Sequence, residues 1–302
     1  TGIAGAGTLA EEAFNGTIIA HDPSLNFMFQ GAFALSSKTQ NSRYDFYAAV
    51  GHADLNAMNI DKRGKSEVQF QTKADFTRTK SGDIFGKIDI AGLVGKNDEG
   101  MHNIGNINLT SHSNENEFRA RLNSKFADAS FQGTAAITEF IKDLKNITLK
   151  KETPALFSDP EYEWSGNRYD VSLKFHDSMS LMAFAMPGFY IADSTSFNAN
   201  INKEGILEAG LRSSRIAFRE QYMKDLRMSF SNKADNLSGE LACKEIKVAS
   251  LSLEDNSFQL LADDNHLGAG YKYDNQDELV NKGEFIVVGD LSRENEEVSL
   301  DV

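Results

Sequence analysis

The chain has 302 residues, enough for a sizeable hydrophobic core, and its formal net charge is -13. That charge, with no basic cluster in the sequence, argues against attraction to nucleic acid or to an anionic membrane surface. The single cysteine, Cys243, excludes an internal disulfide framework but leaves the cellular compartment open. No run of about 18 apolar residues occurs, so the sequence predicts no transmembrane helix. Residue 1 is Thr and no basic, apolar leader follows, so we expect an internal fragment of a longer protein.

Apolar residues alternate with polar ones through the first part of the chain, which is the period of a strand with one dry face. Polar stretches that contain Gly and Asp, such as Asp61–Gly64 and Lys80–Asp83, separate these segments and are typical of hairpin turns. The sequence therefore predicts an antiparallel meander. The alternating segments carry Leu25, Phe27 and Phe29, then Tyr44, Phe46, Ala48 and Val50, then Val68, Phe70, Thr72, Ala74 and Phe76, then Ile84, Ile88 and Ile90, then Phe118, Ala120 and Leu122.

Two segments depart from this alternation and predict short helices. In Thr134–Asn146 the apolar residues fall at helical spacing, with Lys and Asp between them. In Asp177–Met186, Asp177 or Ser178 can cap the start, and a Pro-Gly pair follows the end. We therefore divide the chain into a strand segment at 1–133, a short helix insertion at 134–150, and a second strand segment at 151–302 with a helix near 177–186.

Strand periodicity returns after each predicted helix. The later segments carry Tyr169, Val171, Leu173 and Phe175, then Phe197, Ala199 and Ile201, then Leu207, Ala209 and Leu211, then Leu226, Met228 and Phe230, then Leu237, Leu241 and Cys243. The expected fold class is all-β, with two short helices.

Sequence motifs of catalytic, cofactor-binding or metal-binding sites are missing, or they occur where the surrounding sequence cannot form the site. Gly5–Ala10 has the spacing of a dinucleotide-binding loop, but only four residues precede it and strands follow, so no βαβ unit can surround it. The six histidines are scattered without metal-ligand spacing. Asp263–His266 is the densest polar group, and a solvated turn explains it better than a cation site does. Cys243 lies on the apolar side of its strand, as a buried small side chain would. We therefore expect no enzyme, no cofactor and no metal site.

The apolar faces of the predicted strands must be covered by something. One interpretation is that two sheets, or one folded sheet, bury these side chains against each other. The other is that the sheet curls into an open trough whose lining meets acyl chains. Alternation alone leaves both interpretations open and favours the first.

Four stretches resemble repeats of the TamB-like translocation and assembly proteins of the AsmA-like superfamily. The most specific is Phe184-Ala185-Met186-Pro187-Gly188-Phe189-Tyr190-Ile191-Ala192-Asp193-Ser194, which is similar to the helix end and strand start of those proteins. The others are Phe14–Thr17, Ala53–Ile60 and Gly82–Ile90. Each stretch is degenerate and strand-like, so the likeness depends on the order of the stretches along the sequence. The likeness covers nearly the whole chain.

This resemblance implies an elongated, curled antiparallel sheet, known as a β-taco or repeating β-groove, so that 1–133 and 151–302 become β-groove segments. It implies a periplasmic span, a parent chain anchored in the inner membrane outside this fragment, and an outer-membrane barrel-insertase partner bound through a C-terminal part that is absent here. It further implies transport of phospholipid between inner and outer membrane, in outer-membrane biogenesis, without catalytic residues or a cofactor.

If the resemblance holds, the working residues are those that line the groove and contact phospholipid acyl chains. We expect this role for Phe27, Phe29, Phe46, Phe70, Phe76, Ile88, Phe118, Leu122, Leu173, Phe175, Leu211, Met228 and Phe230.

Two alternatives remain open at this point. The chain could be a scaffold or chaperone for assembly and secretion of outer-membrane proteins, which would pair client strands with its sheet edges. It could also be a structural β-repeat protein or adhesin with a closed core and no ligand.

Overall fold

A computed structural model describes residues 2–10, 12–35, 41–114, 116–159, 161, 163–276, 281–294 and 297–302. Within these residues, nineteen strands belong to one antiparallel sheet, accompanied by two short α-helices. This confirms the predicted all-β class with two short helices. Among the described residues, no helix has the length and apolar character needed to cross a membrane.

The alternating segments named above fall within strands, and consecutive strands pair as hairpins through most of the chain. The strands are β1 (Gly2–Ala10), β2 (Ala13–Asp22), β3 (Leu25–Leu35), β4 (Ser42–Asp54), β5 (Ser66–Arg78), β6 (Ile84–Asn97), β7 (Gly100–Asn114), β8 (Glu117–Ser124), β9 (Ala127–Gly133), β10 (Tyr169–Phe175), β11 (Phe189–Ile191), β12 (Ser196–Ile201), β13 (Leu207–Phe218), β14 (Gln221–Ser231), β15 (Leu237–Val248), β16 (Leu251–Asp263), β17 (His266–Asp274), β18 (Lys282–Glu294) and β19 (Glu297–Asp301).

The chain divides into two compact units. Unit 1 consists of Thr1–Ala129 and His176–Pro187, and unit 2 consists of Ser130–Phe175 and Gly188–Val302. In unit 1, β1 to β8 pair in chain order. In unit 2, β12 to β19 pair in chain order, β10 pairs with β12, and β11 pairs with β13. The three-part division of the sequence remains a prediction.

Both predicted helices are present. Helix α1 (Ile137–Lys145) lies within the predicted 134–146 segment, and a π-helical turn over Asn146–Lys150 and a 3-10 turn over Pro154–Leu156 follow it. Helix α2 (Met179–Ala185) begins after Ser178, which is the N-cap residue although its side chain makes no capping hydrogen bond. The structure thus confirms both helices and adds a longer helical segment after the first.

The predicted turns join strands as expected. Asp61–Gly64 lies between β4 and β5, where Asp61 Oδ1 accepts a hydrogen bond from the Arg63 backbone N at 3.0 Å. Lys80–Asp83 joins β5 to β6, and Gly82 adopts φ +97°, which a residue with a β-carbon rarely adopts. Gly5–Ala10, in contrast, is part of the extended strand β1, so it cannot form a phosphate-binding loop.

Neighbouring strands of unit 1 carry bulges at similar heights. The register shifts between Val50 and Ala53, between Gln69 and Gln71, and between Ile90 and Leu93. A bulge bends its strand and increases the local twist, so unit 1 has a bend that crosses several strands. In unit 2 the pairing is interrupted at Asp225 and Asp255, whose φ angles are +50° and +45°, and the register is the same on either side.

Candidate functional site

In unit 1 the strand register places the predicted lining residues on one face of the sheet. Residues paired across antiparallel strands share a face. Phe46 pairs with Ala74, which pairs with Ile88, and the same row reaches Leu122 through Leu109. The eight unit 1 residues on this face are Phe27, Phe29, Phe46, Phe70, Phe76, Ile88, Phe118 and Leu122.

The aromatic rings on this face pack against each other without being sealed from solvent. The Phe29 and Phe46 ring centroids are 5.2 Å apart, and the Tyr44 and Phe76 rings stack at 4.7 Å. All four of these side chains are half-buried. Phe118 differs, because it is 3% exposed and makes an edge contact with the Phe85 ring at 5.6 Å, so it is a core residue that a ligand cannot reach.

In unit 2 the register aligns large apolar side chains across eight consecutive paired strands. Leu173 pairs with Phe197, which pairs with Leu211, and Leu211 pairs with Met228. We name this set row A, and it consists of Leu173, Phe197, Leu211, Met228, Leu241, Phe258, Tyr271 and Phe285. The predicted residues Phe175 and Phe230 lie on the same face, two positions along their strands from Leu173 and Met228.

The sequence prediction named three of the eight row A residues as ligand-facing, namely Leu173, Leu211 and Met228. It missed Phe197, Leu241, Phe258, Tyr271 and Phe285. The exposed fraction reaches 38% at Phe258 and 62% at Phe285. The apolar face of unit 2 is therefore most accessible on its later strands.

The helical segment 137–156 covers one end of the strands of unit 2. Beneath it, Tyr169 and Ile201 have no exposed surface, and Leu207 is 4% exposed. Several polar contacts hold the segment there. Among them are Asn232 Nδ2 to the Ile147 carbonyl, the Asn265 backbone N to the Glu152 carbonyl, and Arg293 Nε to the Ala155 carbonyl.

In unit 1 helix α2 lies against β6 and β7. Its Phe184 ring occupies the space above Gly95, where a β-carbon would come within 2.4 Å of the ring. Asn97 Nδ2 donates to the Ala183 carbonyl at 2.8 Å, and the Arg63 guanidinium donates to the Ala185 carbonyl. A glycine at position 95 is thus what allows this helix to sit close to the sheet.

Polar side chains line the concavities on the opposite face of the unit 2 sheet. A concavity of about 740 Å³ is lined by charged side chains of both signs, among them Arg212, Arg227, Lys244, Asp225 and Asp255. Mixed charge of this kind gives no preference for an anionic or a cationic ligand.

The residues considered above as candidates for a catalytic or metal site lie in or next to a turn, or in the core. Asp264 and Asn265 form the turn between β16 and β17, and His266 Nδ1 lies 2.8 Å from Asp290 Oδ1. Cys243 is buried, and burial raises the pKa of its thiol to about 11. Over the part of the chain that the structure describes, no group of three or more His, Cys, Asp or Glu side chains could hold a metal ion.

Comparison of the chain with protein-family models, curated proteins and solved structures found no match. The resemblance to TamB-like proteins therefore stays a prediction, and the two apolar faces are the candidate functional site.

Proposed function

We propose that the chain binds lipid acyl chains along the apolar face of each unit and conducts phospholipid between the inner and outer membranes. The proposal rests on the position and the partial burial of the predicted lining residues. In each unit they share one face of the sheet, and twelve of the thirteen are only half-buried, Phe118 being the exception. A closed core would have buried them more completely, and a bound apolar guest molecule would complete their burial.

Acyl chains fit such a face because it offers apolar contact at every strand. Each methylene group that leaves water for this surface gains about 0.8 kcal/mol. The contacts are individually weak and similar from strand to strand. A bound chain can therefore leave one position as readily as it enters the next, which is what conduction requires.

The cellular setting belongs to the same proposal and rests on the resemblance to TamB-like proteins. In it, the chain lies in the periplasm, its parent is anchored in the inner membrane outside this fragment, and an outer-membrane barrel insertase is the partner. Its role is binding and not catalysis.

A charged substitution on the apolar face tests the proposal. Phe70→Glu places a carboxylate on the half-buried face of β5, and Gln71→Glu adds the same charge one residue away on the opposite, exposed face. Phospholipid that co-purifies with each variant is measured by mass spectrometry. Because unit 2 keeps its apolar face, we expect Phe70→Glu to lose about half of the phospholipid and Gln71→Glu to lose none, since an ionised group in an apolar contact costs more than about 2 kcal/mol.

Circular dichroism and the urea midpoint establish that both variants fold. Equal phospholipid in the two folded variants would contradict the proposal. A wild-type protein that neither co-purifies with phospholipid nor takes it up from vesicles would favour the structural β-repeat alternative, and clients crosslinked to edge strands would favour the chaperone alternative.

A further inference from the structure

A row of mostly small side chains runs beside row A on the apolar face of unit 2. Its members lie two positions along each strand from those of row A, so they share the same face. Alanine or glycine occupies four of the eight positions. We name this row the lane, and it consists of Val171, Ala199, Ala209, Phe230, Gly239, Leu260, Ala269 and Val287.

Larger groups stand on both sides of the lane. On one side are the Leu, Phe, Met and Tyr side chains of row A. On the other side, Tyr169, Ile201 and Leu207 are covered by the helical segment 137–156. Except at Phe230 and Leu260, side-chain size thus makes the lane a shallow furrow between row A and the helical segment.

One large side chain in the lane, Phe230, lies close to the sheet because its neighbour on the next strand is a glycine. Phe230 pairs with Gly239, and a β-carbon at position 239 would lie 2.8 Å from Cε1 and 3.0 Å from Cδ1 of the Phe230 ring. The ring therefore lies over the glycine, in the space that any other residue would fill. With a larger residue at 239, the ring would have to rise into the furrow.

We propose that the lane is the track for one acyl chain, which crosses the strands from β10 to β18, and that Gly239 sets its clearance by letting Phe230 lie low. This inference rests on the proposed function and specifies where in unit 2 the lipid lies. Seven strand spacings of about 4.8 Å give a track of about 34 Å. That is longer than the roughly 15 Å that the chains of one bilayer leaflet span, so the track holds a whole acyl chain.

The substitution Gly239→Ala tests whether binding depends on the space above the lane, because it narrows that space without making the face less apolar. It adds a methyl group, leaves the face apolar, and displaces only the outer part of a flexible side chain, so the fold should tolerate it. The matched control is Gly270→Ala, which adds the same group on the opposite face, where the nearest atom is the Phe285 carbonyl oxygen at 4.0 Å.

The probe is phosphatidylglycerol with a diazirine in one acyl chain, offered in phosphatidylcholine vesicles and mapped on the protein by mass spectrometry after illumination. In the wild type, we expect labelling at Ala209 and Ala269. In Gly239→Ala it should fall about tenfold, the equivalent of losing about two buried methylene groups. Gly270→Ala should label like the wild type.

A double variant, Phe230→Ala with Gly239→Ala, restores clearance and should recover the labelling. Fluorescence of Trp164, which lies in unit 2, verifies that each variant is folded. Wild-type labelling of folded Gly239→Ala, or labelling concentrated on row A, would overturn the lane while leaving the proposed function intact. No labelling on the apolar face of either unit of the wild type would overturn both.

Discussion

Replacing Asp143 with alanine would remove the acceptor from a buried network that fixes helix α1 in unit 2. Asp143 is 1% exposed, and its Oδ2 accepts hydrogen bonds from Ser165 Oγ at 2.6 Å, Tyr169 OH at 2.7 Å and Asn167 Nδ2 at 3.0 Å. Tyr169 has no exposed surface and also contacts the Phe140 ring of α1 at 5.1 Å. The carboxylate therefore joins α1, β10 and the loop between them.

The expected loss of stability depends on which of the donors to Asp143 can form a hydrogen bond to water after the substitution. Ser165 is exposed and Asn167 is half-buried, so both can rehydrate after the substitution. The Tyr169 hydroxyl cannot, and an unpaired buried hydroxyl costs about 1–3 kcal/mol, in addition to about 1.5–3 kcal/mol for the lost charge-assisted bond. We expect Asp143→Ala to lower the free energy of unfolding by about 3 kcal/mol.

Urea unfolding followed by tryptophan fluorescence is the assay, because Trp164 is the sole tryptophan and lies in unit 2. Tyr169→Phe leaves Asp143 two partners and should cost only about 1 kcal/mol. The double variant Asp143→Ala with Tyr169→Phe should lose less than the sum of the two, because no hydroxyl remains unpaired. An unfolding midpoint unchanged by Asp143→Ala, or strictly additive losses, would refute the reasoning.

Three further predictions concern titratable groups. Because burial raises the pKa of the Cys243 thiol to about 11, iodoacetamide at pH 8 should label it only after unfolding, and rapid native labelling would contradict its burial. Burial also raises the pKa of Glu152, whose Oε1 lies 3.1 Å from Lys151 Nζ without hydrogen-bond geometry. The cost of its charge appears as the pH rises above 4.5, so Glu152→Gln should raise the urea midpoint at pH 7 and leave it unchanged at pH 4. Hydrogen bonds from Lys224 and then Tyr222 lower the pKa of Glu245 to about 2. The small contribution of Glu245 to the free energy of unfolding is therefore complete above pH 4.5 and is lost toward pH 2. Glu245→Gln should flatten that part of the curve of urea midpoint against pH.

Period-two alternation was enough to predict many of the strands, but not β1, β9, β11, β16 or β17. Helical spacing in Thr134–Asn146, and the Pro-Gly pair after Met186, were enough to locate both helices. These signals are local, since each depends on residues within one element. For the same reason the sequence predicted the turns at Asp61–Gly64 and Lys80–Asp83.

What the sequence could not predict depends on contacts between strands. Phe118 alternates like the other lining residues, and packing that includes an edge contact with the Phe85 ring of a different strand makes it a core residue. The lane exists because Ala199, Ala209 and Ala269 come into line, and pairing register decides that alignment. The π-helical turn after α1 was not predicted either, and within it Ile147 is buried and its carbonyl accepts a hydrogen bond from Asn232 Nδ2 of a distant part of the chain.

Hairpin pairing in chain order has a consequence for how this sheet can change in length. From β13 to β18 each strand bonds to the strands before and after it in the chain, so a hairpin can be removed without leaving distant partners behind. Deleting two strands keeps the remaining side chains on their original faces, since the direction of the next strand is unchanged. The architecture is thus modular, and each hairpin gained or lost alters the span of unit 2 by about 10 Å.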